Sequence, residues 1–108
     1  MMQLIALEVQ NRVRAERPLL LVVTRKKCPA AERAVYAFSA AADALEVDAI
    51  AMDADLQDNA AFLDDLGVAH VPECLLFARG VVLERTAGAR DEADARALLA
   101  LALRRPRR

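Results

Sequence analysis

Every residue from Leu19 to Val23 is apolar. A strand with one face in water alternates apolar and polar residues. One that is apolar throughout is covered on both faces and stands at the centre of a sheet. Pro18 opens this run, and Thr24-Arg25-Lys26-Lys27-Cys28-Pro29 follows it. Proline suits the first turn of a helix, where its missing N–H would have had no partner, so Pro29 starts one. A two-sided strand, a short basic loop and a cysteine at the mouth of a helix therefore limit the chain to a layered α/β arrangement.

Periodicity supplies the other elements. Ile5, Val9 and Val13, with Leu4 and Leu7 alongside, predict a helix over residues 3–15, ended by Pro18. The helix begun at Pro29 runs to about residue 45, with Val35, Phe38 and Ala42 as its buried stripe. Residues 46–52 read as a second strand, ended by Asp53-Ala54-Asp55. Asp58 or Asn59 caps a short helix that continues through Leu66 and stops at Gly67. Residues 73–78 and Val81 to Thr86 form a hairpin about Arg79-Gly80, and a last helix spans about 90–104. The expected order is α-β-α-β-α-β-β-α. Its first two strands are parallel, its last two antiparallel, and helices cover both faces of a mixed sheet.

The 108 residues are expected to form one domain with a basic tail over 103–108. The composition, 56% apolar and 29% charged, is that of a globular chain. A net charge of −1 argues against a nucleic-acid binder. No run is long enough for a membrane span, and the start lacks the basic-then-apolar order of a secretion signal. Two cysteines do not make a disulfide framework, and one histidine with two distant cysteines cannot hold a metal. The expected compartment is a reducing cytoplasm.

Cys28 carries the chemistry. A cysteine at a helix N-terminus faces unpaired N–H groups and the positive end of the helix dipole, and both favour the thiolate. Lys26 and Lys27 add positive charge, so the thiol is expected to ionise more readily than a free cysteine. Cys74 lies on a strand. Its plainest reading is a small buried apolar side chain.

Over residues 18–104 the chain resembles thioredoxin. The likeness rests on four segments: the strand and loop ending at Cys28, Gly67-Val68-Ala69-His70-Val71-Pro72, the hairpin Leu75 to Gly80, and Thr86-Ala87-Gly88-Ala89. Their spacing fits too, with 44 residues from Cys28 to Pro72, 8 from Pro72 to Gly80 and 16 from Pro72 to Gly88. The resemblance implies a thioredoxin-like fold with a four-stranded core, or five strands if a first strand finds room. It implies that Pro72 is the cis-proline and that the Val71 backbone, near Gly88, binds a substrate chain as an added strand. It places His70 at the rim, where it either pairs with the Cys28 thiolate or stands as an exposed loop histidine.

The departures are equally specific. Thioredoxins carry two cysteines around Gly-Pro, whereas here the motif is Cys28-Pro29-Ala30-Ala31. Its Cys-Pro start looks more like a glutaredoxin, a family with single-cysteine members. The thioredoxin family's buried aspartate falls at Val22, and Asp53 either replaces that carboxylate or caps the next helix. Glu73 stands where thioredoxins often have threonine.

The resemblance implies a thiol–disulfide redox protein that forms mixed disulfides at Cys28 with protein thiols, protein disulfides or glutathione as co-substrate. No other cofactor is expected, and the chain is expected as a monomer or weak homodimer. Cys74 shares a strand face with Pro72 and is the only internal candidate for resolving such a disulfide. The alternatives are a thioredoxin-fold binding or chaperone module without turnover, and a sensor whose Cys28 cycles through sulfenic acid.

Overall fold

The central strand organises the molecule. The computed structural model describes residues 2–3, 9, 17–89 and 91–104. Its elements are β1 (Met2–Gln3), β2 (Leu19–Thr24), α1 (Pro29–Leu45), β3 (Asp48–Asp53), α2 (Gln57–Asp65), β4 (Glu73–Ala78), β5 (Val81–Thr86) and α3 (Glu92–Arg104). All six residues of β2 are buried. The sheet order is β1-β3-β2-β4-β5. Strand β2 runs parallel to β3 and antiparallel to β4, and β4 pairs with β5 through the hairpin. The four long strands form the α/β core, and β1 adds a two-residue fifth strand beside β3.

Alternation along β2 sorts its side chains into two layers. Leu20 and Val22 face a core built with Ala34, Phe38 and Ala41 of α1 and Ala95 and Leu99 of α3. Leu19, Leu21 and Val23 face the other layer, with Ile50, Met52, Leu75, Phe77, Phe62 and Val9. Alanine dominates the buried stripe of α1, at positions 31, 34, 37, 41 and 42, with Phe38 as the large side chain. Small residues at 95 and 102 line the facing side of α3, so the two helices can approach closely. Val35, expected in the stripe, is only half-buried.

Several boundaries differ from the expected ones. Gln3 belongs to β1, because backbone pairing with Ala51 takes it from the expected helix. Val9 is helical and fully buried, and the remaining residues of the 3–15 helix lie outside the described ones. The second strand starts at Asp48, because Glu46 is the left-handed C-cap of α1 at φ 57°. The Val47 N–H then donates to the Ala42 carbonyl at 2.9 Å and closes the helix end. Neither Asp58 nor Asn59 caps α2, whose N-cap is Leu56. The Asn59 side chain is fully buried and donates through Nδ2 to the Asp53 carbonyl at 2.8 Å, satisfying the end of β3. Leu66 is the C-cap of α2 rather than its last residue. The hairpin turns on Arg79 and Gly80, both at positive φ, as a tight turn that matches strand twist requires. Leu103 and Arg104 close α3, and the rest of the expected basic tail lies outside the described residues.

Phe38 heads the fully buried side chains by size. Phe38→Ala should therefore cost about 3–5 kcal/mol in denaturant unfolding. Tyr36→Ala, two residues away but 80% exposed, should change stability by less than about 0.5 kcal/mol.

Candidate functional site

The strand directions gather four loops at one end of the sheet. Thr24 and Asp53 pair at the C-terminal ends of β2 and β3. Strand β4 enters antiparallel, so its first residue, Glu73, lies opposite Val23 at the same end. Thr86, at the close of β5, pairs with Cys74 there as well. The loops carrying Cys28, Asp55, Pro72 and Gly88 all leave from this end. It is the end where parallel strands deliver their carboxyl termini, the usual place for chemistry in an α/β sheet.

Cys28 is the N-cap of α1, at φ −117° and ψ 99°, and is half-buried. Its side chain makes no capping hydrogen bond, while its carbonyl accepts from the Glu32 N–H at 3.0 Å. The thiol is unbonded and stands at the positive end of a 17-residue helix. Pro29 occupies the first turn. Lys26 and Lys27 are exposed, and Lys27 takes the left-handed region at φ 57°, turning the chain into the helix. Glu32, also in the first turn, makes the local charge mixed. Ala31, where a second sulfur would stand, is fully buried.

The Val71–Pro72 peptide is cis. Gly88 lies against Pro72: a Cβ there would come 3.6 Å from the proline Cγ, and φ of +151° disfavours any side chain. The Thr86 hydroxyl donates to the Gly88 carbonyl at 3.2 Å and fixes this approach. Val71 is half-buried, and its N–H donates to no backbone group among the described residues. His70 is exposed and lines a shallow groove with Arg25, Asp64 and Val71. Among the described residues no hydrogen bond or ion pair joins it to Cys28.

Cys74 is a core residue. It is 1% exposed, lies opposite Val22 in the ladder and packs with Leu20, Phe38 and Leu76. Burial, and secondarily the Glu73 carboxylate, push its thiol up from 9.0 to about 12. The cavity beside it holds only about 20 Å³. The two cysteines are not bonded to each other.

Asp53 neither caps α2 nor stands in solvent. It is 7% exposed, and its Oδ1 accepts from the Asp55 N–H at 2.8 Å, stabilising the loop after β3. Arg25 and Asp55 then bridge the first two loops at 3.0 Å. Glu73 pairs with Arg85, whose Nη1 also donates to the Leu66 carbonyl at 2.6 Å. Sequence reading missed Arg85. The available signal was its opposite charge to Glu73 on neighbouring strands of one hairpin. A groove of about 630 Å³ runs between α1 and the ends of β2 and β3, with Thr24, Lys26, Tyr36 and Asp53 among its walls. Among the described residues no cluster of acidic, histidine or cysteine side chains could hold a metal, and no helix is long and apolar enough to cross a membrane.

No protein-family pattern matches the chain. No curated protein is similar to it in sequence. Solved structures are similar in fold. A designed protein superposes with a TM-score of 0.81 at 18% identity, over 98% of this chain and 95% of that one. A candidate oxidoreductase with a thioredoxin fold gives 0.75 at 15% identity, over 94% and 92%. Thioredoxin f from spinach chloroplast, in its long form, gives 0.77 at 18% identity, over 94% and 83%. The chain has the thioredoxin fold.

Proposed function

We propose that the chain is a thiol–disulfide redox protein working through a single sulfur, that of Cys28. The observation that carries this reading is an unbonded, half-buried thiol at the N-cap of α1, at the sheet end shared with Pro72 and Gly88. The Cys28 thiolate attacks one sulfur of a protein disulfide or of oxidised glutathione. A bond forms between that sulfur and Cys28, the old S–S bond breaks, and the departing thiolate takes the electron pair and then a proton. The Val71 N–H, which has no backbone partner among the described residues, supports docking of an extended substrate chain beside this sulfur.

Release takes a second thiol. A dithiol enzyme supplies it one turn along the helix, where this chain has Ala31. Cys74 is a poor substitute, since a buried thiol raised to about 12 offers almost no thiolate near neutral pH. Resolution therefore falls to an external thiol such as glutathione, which restores the Cys28 thiol. A reducing compartment such as the cytoplasm suits two unpaired cysteines.

Incubation with oxidised glutathione should add one glutathione to the protein by intact mass and none to Cys28→Ser. An unmodified parent protein would sink the redox reading in favour of a binding module. Ala31→Cys should convert the chain into a dithiol reductant, raising insulin reduction by dithiothreitol about tenfold or more.

Cys74 gives a third check. Folded protein at about pH 8 should titrate one thiol with dithionitrobenzoate, and unfolded protein two. The Cys74 contribution is fully present below pH 9.0 and is lost as pH rises towards 12, because the unfolded thiol ionises first. Parent stability should therefore fall relative to Cys74→Val by about 1.4 kcal/mol per pH unit across that window.

A further inference from the structure

Residues 67–72 form the loop that delivers Val71 and Pro72 to the site, and little of its own backbone holds it. The Gly67 N–H donates to Asp64 at 2.9 Å and the Val68 N–H to Leu63 at 3.0 Å, both as continuations of the α2 terminus. The N–H groups of Ala69, His70 and Val71 donate to no backbone group among the described residues. The loop is flanked by Leu66 at one end and Glu73 at the other. One side chain, Arg85 of β5, grips both flanks. Its Nη1 donates to the Leu66 carbonyl at 2.6 Å, and its Nη2 pairs with the Glu73 carboxylate. It also lies over Gly67, where a Cβ would come 3.8 Å from Nη1.

We propose that Arg85 is a positioning residue that clamps both ends of the 67–72 loop and so holds the Val71 edge in register for an extended peptide substrate. This deepens the redox reading above and rests on it for the identity of the substrate. The guanidinium suits the task because its planar fork makes two directed bonds at once, and a lysine ammonium cannot reproduce that geometry. The Leu66 carbonyl belongs to the C-terminal turn of α2, where orphan carbonyls and the negative dipole end favour a cation. Glu73, with its side chain 16% exposed, lies opposite Val23 of β2, so the clamp also ties the loop to the central strand. Arg85 acts on the chain that would bind substrate and not on the sulfur. Its loss should therefore distinguish substrates by the length of their backbone.

Two disulfides that release the same yellow thiolate separate these roles. One is dithionitrobenzoate. The other is a short extended peptide whose cysteine is blocked with the same thionitrobenzoate group. In each case Cys28 takes up one sulfur and thionitrobenzoate leaves with the electron pair. Arg85→Ala should slow the peptide reaction about fivefold or more and leave the dithionitrobenzoate rate within about twofold. Amide exchange at Gly67 and Val68, whose N–H groups are hydrogen-bonded to the α2 terminus, should quicken about tenfold while α3 is unchanged.

Arg85→Ala combined with Glu73→Gln avoids stranding a half-buried charge and should give the same rate ratio. Arg85→Lys should restore the ratio only in part. Equal slowing of both disulfides, or unchanged exchange at Gly67 and Val68, would overturn the proposal. A parent Cys28 unreactive towards dithionitrobenzoate would defeat the redox reading instead, and the exchange measurement would still decide the clamp.

Discussion

Everything in this molecule hangs on the two-sided burial of β2. A strand with no wet face must be covered by helices above and below, and its hydrogen bonds must be met on both edges. Here β3 meets one edge in parallel and β4 the other antiparallel. That mixed pairing brings the end of β2, the end of β3 and the start of β4 to the same side of the sheet. The cysteine, the cis-proline and the glycine are delivered to one end of the sheet because of strand direction, although 60 residues separate the first from the last. That gathering of loops is thus a by-product of how the core closes.

At that end the two sulfurs occupy opposite physical regimes. Cys28 stands where backbone donors are unpaired and the helix dipole is positive. Cys74 stands in a dry layer against Leu20 and Phe38, where a charged sulfur has nothing to solvate it. Ala31 completes the contrast, being buried and apolar where a dithiol enzyme would place its second sulfur. The protein therefore divides its cysteines by environment, one at a helix mouth and one in the packed core.

The elements read most surely from sequence were those whose cause is local. Five consecutive apolar residues marked β2, and Cys28-Pro29 marked the helix start, because burial on two faces and a proline in the first turn leave few alternatives. The hairpin at Arg79-Gly80 was equally legible. The misreadings have tertiary causes. Glu46 looked like strand because nothing in its side chain announces a left-handed cap. Asn59 looked like a helix cap because the sequence does not show that the Asp53 carbonyl would need a donor from across the loop. Gln3 fell in a strand because pairing with Ala51, far along the chain, outweighed local periodicity. At that sheet end the placing of Cys28 at a helix mouth was legible and the contacts of Arg85 were not, since they join partners at two separate points in the sequence.

The first two residues of β4 have a consequence for folding fidelity. Glu73 and Cys74 point to opposite layers, the carboxylate towards Arg85 and the thiol into the core between the sheet and its α1–α3 layer. A slip of one residue in the pairing of β4 with β2 would exchange them. It would drive the Glu73 carboxylate into the dry layer, a penalty far larger than the loss of any single ladder bond. The pair therefore marks the register, since only the observed alignment leaves the carboxylate on the Arg85 side and the thiol in the core.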